Sequence, residues 1–137
     1  MGILIPKGDD SMVEQDTIKL LRECDAGVKM GTASIDDVLE HVKNDVFKKL
    51  LDKYQDAGKN PNPMAKGMSH MKTSMKLTME HTDATIADLM TDGCNMGVKS
   101  LNRYLNQYEA ADEVSKDIAK RLINLEEQLA IDIRQFL

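Results

Sequence analysis

The sequence predicts an all-α fold, a four-helix bundle made of two repeated helical hairpins. Its composition favours helices over sheets, since the 137 residues include no Trp, two Phe and three Pro. Apolar residues recur at helical spacing in successive segments. The string CDAGVK at residues 24–29 returns as CNMGVK at residues 94–99. The length suits a single domain with an adequate core.

The first hairpin covers about residues 12–57 and begins with a long helix from about Asp16 to Val42. Gly27 and Gly31 lie on the apolar stripe of this helix, although each glycine costs a helix about 1 kcal/mol relative to alanine. We expect close packing of the two long helices at their midpoints to offset that cost. The stripe consists of Leu20 or Leu21, Cys24, Val28, Ile35, Val38 or Leu39, and Val42.

Asn44 is placed to cap the second helix of this hairpin, which ends at Gly58 and the NPNP sequence of residues 60–63. This helix is much shorter than the others. A short helix beside three longer ones exposes apolar surface, so we expect a homodimer. The predicted apolar stripe is Val46, Phe47, Leu50, Leu51 and Tyr54.

Residues 58–81 are predicted to be a Met-rich helical crossover between the two hairpins. Five of its methionines are spaced by 4, 3, 4 and 4 residues, which places them on one helix face. We expect this face to pack on the bundle and the lysines to face solvent. The five are Met64, Met68, Met71, Met75 and Met79.

The second hairpin covers about residues 82–137. Thr82 and Asp83 are placed to cap a long helix that runs to about Ala110, and Asp112 is placed to cap the last helix, which runs to Phe136. The stripe of the first of these helices is Ile86, Met90, Cys94, Gly97, Leu101, Leu105 and Tyr108. The stripe of the last helix is Val114, Ile118, Leu122, Leu125, Leu129, Ile133 and Phe136.

The repeat extends beyond the two six-residue strings, because residues 44–50 match residues 112–118 at an offset of 68. The repeated unit is therefore a long helix, a tight turn and a second helix. Two such hairpins joined by a long crossover make a ferritin-like four-helix bundle with internal pseudo-twofold symmetry. We assign residues 1–11 to a mobile leader and residues 12–137 to the bundle.

Three blocks of the sequence resemble an uncharacterised family of bacterial ferritin-like domains, best represented in clostridia and their relatives. The blocks are residues 24–39, residues 60–68 and residues 86–97. The resemblance covers nearly everything after residue 11 and implies a rubrerythrin-related bundle of unknown activity. The short second helix departs from the pattern of that family, through a deletion or through residues omitted from the chain.

Ferritin-like enzymes hold two metal ions with a Glu on each of two helices and a Glu-x-x-His on each of the other two. This sequence contains no Glu-x-x-His and only three histidines. Asp37 and His41 share a helix face, but a histidine in the last turn of a helix is more simply a partner of the helix dipole. We therefore expect a non-enzymatic interaction or small binding module with no cofactor.

The alternative is a metal or redox protein that binds copper or iron at a non-standard site. Cys24 and Cys94 occupy equivalent mid-helix positions and are either two buried, inert thiols or a redox pair. A soft-ligand cluster that suits Cu(I) consists of Met68, His70, Met71, Met75, Met79 and His81. If the glycines make room for a ligand, the pocket between the helices is lined by Asp25, Gly27, Gly31, Asn95, Gly97 and Tyr104.

The charge distribution bears on partners. A net charge of −5 at pH 7 disfavours a general nucleic-acid binder. Residues 58–79 carry four lysines and no acid, which also suits a helix that docks on a protein partner or a membrane surface. No apolar run approaches the roughly 20 residues of a membrane span. Two cysteines without a secretory signal predict the reducing cytoplasm.

Overall fold

The structure is a computed structural model that describes residues 4–58 and 82–137, with side chains from residue 11 onward. Within these residues the chain is all-helical and has no strand, which confirms the predicted all-α helical bundle. None of the described helices has an apolar stretch long enough to cross a membrane. Residues 59–81, most of the predicted crossover, lie outside the description. The helices are α1 (Leu4–Leu39), α2 (Asp45–Gly58), α3 (Asp83–Gln107) and α4 (Glu113–Ile133), and a 3-10 turn (Arg134–Phe136) follows α4.

Helix α1 differs from its predicted range at both ends. Its backbone is helical from Leu4, so it includes most of the segment that we assigned to a leader. It ends at Leu39 and not at Val42. The amides of His41 and Val42 donate instead to carbonyls three residues earlier, at 2.9 and 3.3 Å, which tightens the chain into the turn before α2.

The three predicted helix caps are confirmed. The Asn44 side-chain oxygen accepts hydrogen bonds from the amides of Val46 and Phe47, at 2.8 and 3.1 Å. The side chains of Thr82 and Asp112 each accept from the amide three residues on, at 3.1 and 2.8 Å. Each cap satisfies backbone amides that have no partner within their helix, so the starts of α2, α3 and α4 follow from the sequence.

Asp83, at the start of α3, ties that helix to the first turn, the connection between α1 and α2. Its two carboxylate oxygens accept hydrogen bonds from the backbone amides of Lys43 and Asn44, at 2.9 and 3.0 Å. The first turn and the start of α3 therefore lie at the same end of the bundle. Helices α2 and α3 both lead away from that end and run in the same direction.

Two side chains of α1 bind the second turn, the connection between α3 and α4, much as Asp83 binds the first turn. The Asp16 carboxylate accepts from the amide of Ala110 at 3.0 Å, and the Thr17 hydroxyl oxygen accepts from the amide of Asp112 at 2.9 Å. Helix α1 therefore runs from the second turn to the first, and the four helices run up, down, down and up.

Removing a turn clamp will destabilise the bundle. Asp83→Ala leaves two turn amides without their carboxylate acceptor, so we expect the free energy of unfolding to fall by about 1 kcal/mol. Asp52→Ala on the exposed face of α2 removes a carboxylate of the same size and serves as the control. Urea unfolding measures both variants, and an equal loss in the two would contradict the role of the clamp.

The core divides into two clusters, one towards each turn. The first-turn cluster takes side chains from all four helices, whereas the second-turn cluster, within the described residues, takes none from α2. The first-turn cluster is Ile35, Val38, Val42, Phe47, Leu51, Tyr54, Ile86, Ala87, Met90, Cys94, Leu129 and Ile133. The second-turn cluster is Leu20, Cys24, Leu101, Ala111, Ala119 and Ile123.

The length of α2 explains this division. Its 14 residues span about 21 Å, whereas the 25 residues of α3 span about 37 Å, at a rise of about 1.5 Å per residue. Helix α2 starts at the first turn, so it ends near the middle of the bundle. Beyond that level α1, α3 and α4 pack together without it.

The predicted apolar stripe of α4 is confirmed in part, because Leu129 and Ile133 are buried and Leu122 and Phe136 pack against the two clusters. Three of its members, Val114, Ile118 and Leu125, are 69%, 37% and 38% exposed. The face of α4 that points inward is rotated by about one residue from the predicted stripe. Its buried members are Ser115, Ala119, Ile123, Leu129 and Ile133. Small residues occupy this face because α3 and α4 make the most extensive contact of any described helix pair. On α2, Val46 is likewise exposed.

Candidate functional site

Glu126 lies between the two core clusters, at the centre of the inward face of α4. Ile123 before it belongs to the second-turn cluster, and Leu129 after it belongs to the first-turn cluster. It is 11 residues after Ser115 and seven before Ile133, so the three side chains share one helix face. An ionisable group therefore occupies a position that the helix period assigns to the core.

Gly97 on α3 makes the space for this side chain. A methyl group added at Gly97 would collide with the carboxylate of Glu126. Within the described residues, nothing donates a hydrogen bond or forms an ion pair to this carboxylate. The glycine thus accommodates an acid that has no compensating partner from the described helices.

Burial raises the pKa of Glu126 from 4.5 to about 7. Within the described part of the chain, burial is the cause of this pKa shift, and no cation or second acid contributes to it. A pKa near 7 means that the carboxyl group is partly protonated at neutral pH. The middle of the bundle can therefore take up and release one proton under ordinary conditions.

Two further polar groups belong to this centre. The pKa of the Cys94 thiol is raised to about 12, mainly by burial and to a smaller extent by the charge of Glu126. Tyr54 donates a hydrogen bond from its hydroxyl to Asp132 at 2.8 Å, and burial followed by this bond raises the pKa of Tyr54. Asp132 also accepts a hydrogen bond from Gln128 at 2.9 Å. The thiol and the phenol stay protonated at neutral pH, so Glu126 is the titrating group of the centre.

The structure does not bring Cys24 and Cys94 into one cluster. Cys24 lies in the second-turn cluster and Cys94 in the first-turn cluster, and both are buried and free. Burial, and next the charge of Glu23, raise the pKa of Cys24 to about 11. A reactive thiol requires a lowered pKa, so both environments work against thiolate chemistry.

Thiol labelling will test these environments. We expect both cysteines of the native protein to react with a disulfide reagent at pH 8 much more slowly than free cysteine does, because each thiol is buried and protonated. Adding guanidinium chloride should restore rapid reaction of two thiols per chain. Rapid labelling of either cysteine without denaturant would contradict the description of its site.

The structure gives the individual surroundings of three of the six residues predicted to line an inter-helix pocket. Asp25 forms an ion pair with Lys29 on its own helix at 2.9 Å. Asn95 is exposed. Tyr104 stacks on Tyr108, with ring centroids 6.2 Å apart, against the second-turn cluster.

The glycines of α1 and α3 have unequal environments. Gly27, Gly31 and Gly93 are exposed, and no described atom lies within 4 Å of a methyl group added at any of them. The prediction that they allow close packing of the two long helices was therefore wrong. Gly97 alone of the four faces another side chain, and that side chain comes from α4.

The described residues do not fit a di-metal centre. Among them, no three His, Cys, Asp or Glu side chains are grouped so that they could hold a metal ion. The predicted cluster of methionines and histidines, residues 68–81, lies outside the described part of the chain. A di-metal centre requires several carboxylates and imidazoles around one point, whereas the inward face of α4 supplies one carboxylate there.

No protein-family model, curated protein or solved structure matches the chain. The resemblance to ferritin-like domains therefore remains a prediction.

Sequence reasoning missed Glu126 and Asp132. Both acids stand in an acidic, Gln-rich stretch that is typical of a solvated helix face. The available signal was the phase of Glu126 with Ser115, Ala119 and Ile133. A helix face chosen by the size of its apolar side chains includes Val114, Ile118 and Leu125 and therefore excludes Glu126.

Proposed function

We propose that this chain is a ferritin-like helical bundle that acts by binding a partner and has no di-metal activity. One observation carries the proposal. In the core of the bundle, where ferritin-like enzymes gather carboxylates and imidazoles, Glu126 faces Gly97, and no second ionised group among residues 11–58 and 82–137 shifts its pKa.

The connectivity of the helices supports the ferritin-like part of the proposal. Helices that run up, down, down and up require one long connection, and residues 59–81 connect α2 to α3. The two turn clamps are also alike: Asp83 binds the first turn and Asp16 binds the second, and these aspartates are 67 residues apart. In each case an aspartate at the start of one hairpin binds backbone amides in the turn of the other hairpin, which supports a duplicated hairpin.

Exposed apolar side chains support the partner-binding part. Ile18 and Leu21 on α1 are 44% and 38% exposed, and Val114, Ile118 and Leu125 on α4 are also exposed. All five belong to the half of the bundle that α2 does not reach. Apolar surface of this kind commonly marks a protein interface.

The redox alternative is less well supported, because both cysteines have raised pKa values and lie in different clusters. Copper binding by residues 68–81, and docking through the Met-rich segment, concern residues outside the description and remain predictions. Two buried, free cysteines suit a reducing compartment, which supports a cytoplasmic location for the proposed function.

Metal analysis tests the proposal. The protein is purified without added metal, incubated with Fe(II) or Cu(I) under nitrogen and desalted, and the metal per chain is measured by mass spectrometry. We expect far less than one iron per chain. Two irons per chain would overturn the proposal. Copper that is retained by the wild type and lost in Met71→Leu would establish the alternative.

A further inference from the structure

Glu126 lies at the level of the bundle where α2 ends. The hydroxyl of Tyr54 on α2 donates to Asp132 on α4 at 2.8 Å, which aligns these two antiparallel helices. From that contact the last residue of α2, Gly58, is about 6 Å further on and Glu126 is about 9 Å back along α4, at a rise of about 1.5 Å per residue. Glu126 therefore faces the core just beyond the end of α2, where α1, α3 and α4 pack together without it.

The core divides at the same level. The two core clusters share no residue, and along α4 Glu126 stands between Ile123 of one cluster and Leu129 of the other. We call the parts of the bundle that contain the second-turn and first-turn clusters the second-turn half and the first-turn half. Among the described residues the second-turn cluster has six buried members and the first-turn cluster has twelve, so opening the second-turn half exposes less apolar surface. We therefore expect the second-turn half to open at a lower free energy than the whole bundle.

The described helices offer no charge that compensates Glu126 at this level. The titratable and charged residues nearest the level are Cys94 and Lys99 on α3, Tyr54 and Asp56 on α2, Asp25 and Lys29 on α1, and Glu127 on α4. The two residues of α1 form an ion pair with each other at 2.9 Å, the thiol and the phenol are neutral at neutral pH, and the other three side chains are exposed. Within the described residues none of the seven shifts the pKa of Glu126.

We propose that Glu126 is a proton-operated joint: the protonated carboxyl group keeps the second-turn half closed on the first-turn half, and loss of the proton lets the second-turn half open by itself. The neutral group fits the narrow space at Gly97 between α3 and α4. The ionised group requires water around it, and its half-buried site supplies that water when α3 and α4 move apart at Gly97. The joint makes the bundle sensitive to pH near neutrality.

Native-state hydrogen exchange, followed by NMR at pH 6 and pH 8 and corrected for intrinsic exchange rates, tests the proposal. We expect the amides of Leu101 and Ile123, in the second-turn half, to exchange through an opening that the amides of Leu51 and Met90, in the first-turn half, do not share. The constant for this opening should rise about tenfold from pH 6 to pH 8, which follows from a pKa of about 7 in the closed state and close to 4.5 in the open state. Equal opening constants in the two halves, or a constant in the second-turn half that does not change with pH, would overturn the proposal.

Matched variants assign the effect to this side chain. Glu126→Gln removes the titrating group, so the opening constant should be the same at pH 6 and pH 8, whereas Glu127→Gln at the exposed neighbouring position should retain the rise. Glu126→Leu, which leaves no polar group at the site, should also remove the rise. A rise that persists in either folded variant of Glu126 would overturn the proposal. Amide exchange requires no bound metal or partner, so this experiment can fail independently of the metal analysis.

Discussion

Phe47→Ala will lower the free energy of unfolding by about 3–4 kcal/mol. Phe47 is fully buried in the first-turn cluster, and its ring stacks on that of Phe136 with centroids 4.4 Å apart. This cluster is where all four helices meet, so the cavity left by the ring loosens α2 from the rest of the bundle. Urea unfolding at pH 7 measures the loss.

The neighbouring residue provides the control for that experiment. Val46 lies on the same turn of α2 but is 59% exposed. Val46→Ala should change the free energy of unfolding by no more than about 0.5 kcal/mol. If Phe47→Ala cost as little as Val46→Ala, the packing of α2 against the other helices would be contradicted.

Glu126→Leu will stabilise the bundle at pH 8, by about 2 kcal/mol. At that pH the carboxyl group is ionised at a site that raises its pKa to about 7, and leucine removes the cost of burying the charge. This expected gain in stability is smaller than the free energy equivalent to the full pKa shift of Glu126, because the side chain is partly exposed and solvent screens its charge. Urea unfolding of wild type and variant at pH 8 measures the gain, and a loss of stability would contradict it.

The effect of Glu126 on stability depends on pH in a definite direction. Its pKa is about 7 in the folded protein and close to 4.5 when unfolded, so the folded state binds the proton more tightly. Its stabilising contribution is complete below pH 4.5, falls between pH 4.5 and 7, and is lost above pH 7.

Two matched variants isolate that dependence. Glu126→Gln should remove the decline in stability between pH 5.5 and 8. Glu127→Gln, at the exposed neighbouring position, should retain it. A decline that persists in Glu126→Gln would assign the pH dependence to other groups.

The helix caps and most of the first-turn cluster could be predicted from the sequence because they depend on local chemistry. Asn44, Thr82 and Asp112 satisfy amides within three residues of themselves, which needs no knowledge of the tertiary fold. Phe47 and Leu51 are large, apolar and in phase, so their helix can bury only that face.

The inward face of α4 could not be predicted in the same way. Helices that approach closely bury small residues, and Ser115 and Ala119 give weaker hydrophobic signals than Val114 and Ile118. Glu126 was missed because its burial depends on Gly97, a residue of another helix. The contact between α3 and α4 therefore determines which face of α4 is buried, and the sequence of α4 alone does not specify that face.

Among the described residues, Glu126 is a carboxyl group without an ionic partner between the two core clusters, and the proposal that the bundle has no di-metal activity depends on it. The pH titration of the Glu126 side-chain carbon by NMR, in protein labelled with ¹³C-glutamate and assigned with Glu126→Gln, tests this claim most directly. We expect a midpoint near pH 7 that stays the same when Zn²⁺ is added. A midpoint near pH 4.5, or one that Zn²⁺ moves to lower pH, would contradict the claim.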